Sequence, residues 1–362
     1  MTKSQSEGPT VRRRRQAGSE GEDGTKPVGL RQVARVAGVS TATVSRVINA
    51  PETVSAELRT RIDMVIRDLG WVPSGAARAL ATRRTYTIGA VFPSLAQGLF
   101  ARAIDGLQDE LNGRNYTLLL AHSRYSFEEE YRQVAKLIER GVDGLVLVGS
   151  TRPPELEAFL KKQKVPYVNT FVYHSDTDAP CIGPDSYRAL YNMTEYLIGL
   201  GHRRFGMIAQ STEGNDRAQA RWDGVIDALA EHGIAIPPAH ALQGHWSIPE
   251  GRALFRKLME RQPLPTVVIG GNPFLAVGAM LEAQSRGIRI PQDMSLVGYD
   301  DIEIMQELPV SITTVRGPSD EVGRQAARVI LRLIEGDATV ESVELPSQFL
   351  VRASSGPPPA AP

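Results

Sequence analysis

Val33 to Asn49 reads VARVAGVSTATVSRVIN, and its apolar residues recur at helical spacing on either side of a break at Gly38. Ala34 is small enough for two short helices to approach closely, so the stretch predicts a helix-turn-helix. Ser40 stands where an N-cap belongs. Val44, Val47 and Ile48 follow at i, i+3 and i+4 and turn one face of the second helix inward. Thr41, Ala42, Ser45 and Arg46 are left on the outer face. Small and hydroxylated side chains beside an arginine suit a helix that enters a major groove, with hydroxyls reaching phosphates and the guanidinium reaching a guanine edge. An ordinary pair of packed helices would have the same spacing, so the flanking segments decide between the two.

Asn49, Ala50 and Pro51 close the second helix, and a third runs from Ser55 as N-cap through Leu58, Ile62, Val65, Ile66 and Leu69 to Gly70. WVPSGAARALATRRT, Trp71 to Thr85, is rich in Ala and Arg and too short to be a stable helix by itself. Taken together, VARVAGVSTATVSRVIN, VSAELRTRI and WVPSGAARALA resemble the lactose-repressor (LacI/GalR) family, and the resemblance continues from Leu30 to about Leu350. It implies that Thr41, Ala42 and Arg46 read bases, while Ser40, Thr43, Ser45 and Asn49 contact phosphates. It also implies that Leu80 enters the minor groove from both subunits of a dimer and kinks the duplex. The hinge would then fold only on DNA, which makes it a coupling element.

Composition agrees with such an organisation. The 362 residues are 42% hydrophobic, enough for two or three cores. A single cysteine, Cys181, excludes a disulfide framework and a multi-cysteine metal site and fits a reduced cytoplasm. No apolar run approaches the roughly 18 residues of a membrane span, and no apolar segment follows the charged start, so neither insertion nor export is expected. The net charge of +0 hides an asymmetry. Residues 27–85 carry nine Arg against four acids and residues 1–26 six basic against four acidic side chains, which leaves −7 on the rest. A basic head on an acidic body suits a DNA-binding module fused to a sensor. Residues 1–26, with the run Arg12 to Arg15, read as a disordered tail that adds non-specific phosphate affinity or has no role. SSGPPPAAP reads as a second tail.

From Thr87 onward, short apolar runs alternate with amphipathic stretches every 25 to 30 residues or so, the rhythm of βα units and parallel sheets. Strands are expected at Ile88–Phe92, Thr117–Ala121, Gly144–Val148, Tyr167–Thr170, Phe205–Ala209, Thr266–Gly270 and Ser295–Tyr299. Ser126 with Glu129 forms a capping box for a helix to Arg140. The expected division is a tail (1–26), an all-α helix-turn-helix domain (27–72), a hinge helix or linker (73–85), a two-lobed effector-binding and dimerisation domain (86–350) and a tail (351–362). The resemblance implies the two-lobed periplasmic-binding-protein fold for the fourth part, doubly wound in each lobe.

Ligands of such sheets bind beyond the carboxyl ends of the strands. That rule selects Pro93–Phe100, Asn169–Phe171, Asp185, Gln210–Arg221, Asn272 and Asp300, a polar set suited to a small polar ligand. The family resemblance sharpens it. RWDG, with Arg221 three before Gly224, matches an effector-contacting arginine. Asp300 in GYDD and Asn272 in GGNP match two further effector positions, Trp246 in HWS an aromatic ring against the ligand, Phe100 a helix facing the cleft, and Asp185 a cleft acid. Pro273 stands where the family has Asp, removing a carboxylate and a backbone donor. Each residue also has a quieter reading: Asp300 as a solvated loop residue or cap, Arg221 as an ion-pair partner, Trp246 and Phe100 as core cover.

The scattered His122, His202 and His245 lack metal-ligand spacing, and neither a metal nor a cofactor is expected. Phosphate-loop, dinucleotide, nucleophile-elbow and HExxH motifs are missing, so an enzyme is not expected. A transporter's solute-binding protein would share the sensor fold but lack the basic helix-turn-helix; a ligand-independent DNA-binding protein would lose the polar cleft residues. The sequence therefore reads as an effector-responsive transcriptional repressor acting in the bacterial cytoplasm, on the nucleoid, as a homodimer on a pseudo-palindromic operator, with no membrane partner. HSRYS, His122 to Ser126, is similar to the gluconate-repressor branch, and with Arg221 it favours a sugar or sugar acid, a purine or nucleoside coming next. No seven-residue apolar repeat near the C-terminus suggests a tetramer.

Overall fold

A computed structural model describes residues 28–175 and 177–360, and the chain separates between Ala81 and Thr82 into two units. The expected N-terminal tail lies outside the described residues. The first unit holds α1 (Leu30–Ala37), α2 (Thr41–Asn49) and α3 (Ala56–Asp68). Gly38, at φ +66°, ends α1 in the left-handed region that glycine adopts freely, and Val39 N–H returns to Ala34 O at 3.0 Å. Ser40 then caps α2, its Oγ accepting from Thr43 N–H at 3.0 Å, and Ser55 caps α3 in the same way at 3.4 Å. Val33, Val44 and Ile62 are fully buried where the three helices meet, each contributing about 2 kcal/mol, with Trp71 packed against them. The helix-turn-helix expected from Val33–Asn49 is what the structure contains.

Residues Gly75–Thr82 form α4. This is the segment expected as the hinge helix, and its four alanines in eight residues favour a helical conformation.

The second unit begins with β1 (Thr87–Phe92), α5 (Gly98–Asn112), β2 (Thr117–His122), α6 (Phe127–Glu139), β3 (Gly144–Val148), α7 (Pro154–Gln163), β4 (Tyr167–Thr170) and β5 (Cys181–Gly183). It continues with α8 (Ser186–Gly199), β6 (Phe205–Gln210), α9 (Asp216–Glu231), β7 (Ala241–Gly244), α10 (Ile248–Met259), β8 (Val267–Gly270), α11 (Pro273–Ser285), β9 (Ser295–Tyr299), α12 (Ile304–Glu307) and β10 (Thr313–Arg316). It closes with α13 (Ser319–Ile334), β11 (Val343–Glu344) and β12 (Gln348–Leu350). Two six-stranded sheets result, ordered β11-β5-β4-β3-β1-β2 and β12-β10-β9-β8-β6-β7. All pairings are parallel except β10 with β12, which is antiparallel. Each sheet is the centre of one lobe. The chain passes between lobes three times, after β5, after β10 and between β11 and β12. Central strands such as β8 and β9 are buried at every residue because helices cover both faces.

The seven expected strands are present, three with the expected bounds and four with one end shifted by a residue. Five short ones, β5, β7, β10, β11 and β12, were not expected, since two to four residues leave no periodicity to read. The expected C-terminal tail is also corrected. Ser354 is fully buried, its Oγ accepts from Thr313 N–H at 2.8 Å, and its carbonyl accepts from Leu296 N–H at 2.9 Å. Gly356 O bonds the buried His202 ring at 2.9 Å. These residues add a docked edge to the second lobe, and proline after them fits a chain with no further backbone donors to place.

In the first lobe, α5 and α13 cross at two glycines. A Cβ on Gly323 would run into the carbonyl of Ala103, and one on Gly106 into that of Asp320. Gly323→Ala is therefore expected to cost about 1–3 kcal/mol and lower the Tm of this unit by several degrees in calorimetry. An unchanged Tm would mean that the crossing has slack. No helix among the described residues is long and apolar enough to cross a membrane.

Candidate effector and nucleic-acid sites

On α2 the outward row is as expected. Thr41, Ala42, Arg46 and Asn49 are exposed, while Val44 and Val47 face the core. Ser40 spends one lone pair on the cap, Thr43 is half-buried, and Asn49 Nδ2 donates to Ser45 Oγ at 3.1 Å, fixing both side chains along the helix. Leu80 of α4 is 89% exposed, an apolar side chain with no cover.

The ligand cleft lies where the carboxyl ends of both sheets face each other. A cavity of about 50 Å³ there is lined by Phe100, Arg221, Trp246, Asn272 and Asp300, five of the six expected residues, from both lobes. Arg221, 8% exposed, is seated by Nε donation to Gly271 O at 3.1 Å and lies over the Tyr299 ring at 4.6 Å. It has no carboxylate within ion-pair distance among the described residues, so it is not an ion-pair partner there. Asn272 caps α11, its Oδ1 accepting from Leu275 N–H at 3.0 Å. Its Nδ2 is buried and without a partner. Pro273 takes the first turn of α11, where a missing N–H costs nothing, and joins the cavity wall.

The two aspartates of GYDD divide their roles. Asp300 adopts a left-handed backbone, φ +63°, uncommon for a non-glycine residue, and lines the cavity. Burial pushes its carboxyl up to about 6, against the pull of Arg221 and Arg102. Asp301, 3% exposed, turns away and is held by Arg316 at 2.5 Å and Arg352 at 2.7 Å. Burial alone would raise it, but the two guanidiniums outweigh burial and hold its carboxyl below the usual range.

Asp185 is a correction. Its Oδ1 accepts from Arg188 N–H at 2.8 Å as the N-cap of α8, and the neighbouring Ser186 takes the place in the wall. An acid just after a strand and before a helix satisfies the cap first. Asn169 is likewise occupied, accepting from Arg152 Nη1 at 2.8 Å. Trp246 is half-buried among the Tyr125, His245 and Phe274 rings and belongs to the cleft. Tyr125, Phe274 and Tyr299 had not been selected. Tyr299 was hidden in a strand that reads as core, and Tyr125 is brought in by two successive left-handed residues, Arg124 (φ +56°) and itself (φ +59°). Burial pushes the Tyr299 hydroxyl up to about 12, with Asp300 adding to it.

A charged clasp bridges the lobes at the cleft mouth. Asp216, at the start of α9, accepts from Ser150 N–H at 2.6 Å, Thr151 N–H at 3.1 Å and Ser150 Oγ at 3.1 Å, all in the loop after β3. Burial opposes its charge, but Arg217 and these donors win and hold its carboxyl below the ordinary range. Arg152 braces the same loop through Gly149 O at 2.8 Å and pairs with Glu130 at 3.2 Å.

Comparison with known proteins agrees with both halves. Residues 29–74 match the model of bacterial regulatory proteins of the lacI family, and residues 85–353 that of periplasmic binding proteins and the sugar-binding domain of the LacI family. The HTH-type transcriptional repressor PurR of Escherichia coli is 30% identical over 328 residues, 90% of this chain and 96% of that protein. The Lac repressor dimer bound to operator and the anti-inducer ONPF aligns with a TM-score of 0.81 at 25% identity, covering 91% of this chain and all of the other. A transcriptional regulator CelR–cellobiose complex aligns at 0.67 with 29% identity over 91% of this chain and all of the other. The chain belongs to the LacI family of bacterial transcriptional regulators.

Proposed function

We propose that the chain represses transcription in the cytoplasm by binding a pseudo-palindromic operator as a homodimer, and that a small sugar or sugar acid in the cleft sets its hold on DNA. One observation carries the ligand half: a single cavity holds an unpartnered buried donor, Asn272 Nδ2, an arginine without a carboxylate, Arg221, and an acceptor, Asp300. Vicinal hydroxyls donate and accept at once and match this mixed set, with aromatic rings against the sugar's apolar face. The solved relative that carries cellobiose supports the class.

In this reading residues 27–72 bind DNA, 73–85 form the hinge and the chain from 86 onward senses the ligand. Arg46 with Thr41 and Ala42 reads bases; Ser40, Thr43, Ser45 and Asn49 hold phosphates; Leu80 wedges the minor groove. A dimer follows because one helix-turn-helix reads half a site. Closure of the lobes changes the separation of two hinges, so ligand and DNA affinities are coupled reciprocally, by ~1–3 kcal/mol.

Arg46→Ala is expected to cost ~1–3 kcal/mol on the operator and relax preference at one base pair, measured by binding to a substituted operator series. Equal loss on random DNA would reduce Arg46 to a phosphate contact. Thermal unfolding of the full chain across sugars, aldonic and uronic acids, purines and nucleosides tests the ligand class. A ligand at 100 times its Kd adds ~2.7 kcal/mol. A shift from purines or nucleosides alone would contradict the sugar reading.

A further inference from the structure

Every group in the clasp between the lobes belongs to the chain, so it forms without any small molecule. Ser150 and Thr151 follow Gly149, which turns at φ +81°, and they aim two N–H groups and one hydroxyl at a single point. Such a nest of donors in the first lobe suits an anion. The anion it receives is the Asp216 carboxylate of the second lobe, 2.6–3.1 Å from all three donors. Asn215 caps α9, its Oδ1 accepting from Ala218 N–H at 3.2 Å, so Asp216 stands in the first turn, where the helix itself favours negative charge.

The surroundings are closely packed. Phe127, which opens α6 in the first lobe, lies against Gly214 of the second, where an added Cβ would come within 3.1 Å of the ring. A Cβ on Gly149 would strike both Asp216 and Arg217. The void lined by Phe127, Glu130, Asp216 and Arg217 is about 20 Å³, room for one or two waters at ~10–15 Å³ each. Four charged side chains are shut in there, Glu130 and Arg152 from the first lobe and Asp216 and Arg217 from the second, each no more than 13% exposed. The two acids balance the two guanidiniums. Removal of Asp216 leaves two cations against one acid, which a buried site disfavours and which opening of the lobes relieves by hydration.

We propose that Asp216 is a positioning residue, the bolt of an internal latch that holds the two lobes closed before any effector arrives and thereby sets the resting grip on DNA. An effector then meets a sensor that is closed most of the time, and its entry waits on the latch. The DNA half of the proposal rests on the coupling of lobes and hinges given above; the latch itself does not.

The test is pulsed dipolar electron spin resonance on the full chain, with no small molecule added and spin labels on Glu155→Cys and Gln219→Cys. These are exposed positions in the first turns of α7 and α9, on either side of the latch, and the native Cys181 is fully buried away from the label. The labelled chain with the latch intact is expected to give one narrow distance distribution. In Asp216→Ala a longer distance is expected as the main species, the open state having risen about tenfold or more from a minor population of roughly 0.1–10%. Phe127→Ala leaves every charge and donor of the latch in place and is expected to shift the distribution the same way. On an operator obtained by in vitro selection, the affinity of Asp216→Ala is expected to differ from that of the native chain by about fivefold or more. One and the same distance distribution with the latch intact, in Asp216→Ala and in Phe127→Ala overturns the latch and leaves the coupling reading standing. A lengthened distance with unchanged operator affinity overturns the resting grip and, with it, the coupling of lobes to hinges.

Discussion

Asp301→Ala is expected to lower the Tm of the sensor unit by roughly 5–15 °C, the consequence of removing one partner from a buried ion cluster, which costs ~3–5 kcal/mol. The carboxylate is 3% exposed and bonds Arg316 Nε at 2.9 Å and Arg352 Nη1 at 2.8 Å, while its backbone carbonyl accepts from Arg102 Nη2 at 3.2 Å. Arg316 lies at a crossover between lobes and Arg352 just after β12, so the cluster ties the lobe-crossing segments together. Without Asp301, Arg352, whose side chain is 14% exposed, is a buried cation with no acid. Asp301→Asn keeps the shape and loses the charge, and is expected to cost less. The pH dependence has a definite sign. The folded carboxyl is held below its unfolded value of about 3.9, so the stabilisation is present above that pH and is lost as pH falls through the folded value. The Tm difference between native chain and Asp301→Asn should therefore shrink below about pH 4. Differential scanning calorimetry from neutral to acid pH measures it, and a difference constant across that range would contradict the assignment.

Arg221→Ala is expected to weaken effector binding by about 100-fold or more, since a charged donor held in a closed cavity contributes ~1.5–3 kcal/mol per hydrogen bond. The guanidinium cannot move to follow the ligand, being fixed by Gly271 O and the Tyr299 face. Its loss also removes the main charge that opposes burial at Asp300, so that carboxyl should rise above about 6 and be more protonated at neutral pH. Calorimetric titration with the effector at pH 5 and pH 8 reads both effects. In the native chain, hydroxyl donors favour the ionised carboxylate, so binding near pH 6 should release protons, and in Arg221→Ala that release should move to higher pH. Arg221→Lys keeps the charge without the planar fork and should recover only part of the affinity. Undiminished binding by Arg221→Ala would remove the arginine from the site.

The architecture was legible where sequence carries period or punctuation. Val33–Asn49 names its own fold because Gly38, Ser40 and the valine spacing each specify one local conformation. The βα rhythm gives the two lobes, and the rule that ligands sit past strand ends selects stretches that include Phe100, Arg221, Asn272 and Asp300, with Trp246 added by the family resemblance. What was hidden depends on tertiary context. Ser354 and Gly356 look like tail because their bonding partners, Thr313 and His202, are dozens of residues away. Asp185 and Asp300 both follow strands, yet one is taken by a helix cap and the other faces a cavity, a choice made by backbone angles that sequence does not state. Likewise nothing in Asp300-Asp301 tells which carboxylate serves the ligand and which serves the fold.

The central claim is that occupation of this cleft and grip on DNA are one coupled equilibrium. The most direct measurement is fluorescence anisotropy of the full chain on an operator obtained by in vitro selection, with and without a ligand shown to bind the cleft. The selected sequence is expected to be two-fold symmetric, and the ligand to change operator affinity by about 5- to 150-fold in the native chain and not in Arg221→Ala. A selected site without symmetry, or a cleft ligand that leaves operator affinity unchanged, would contradict the account.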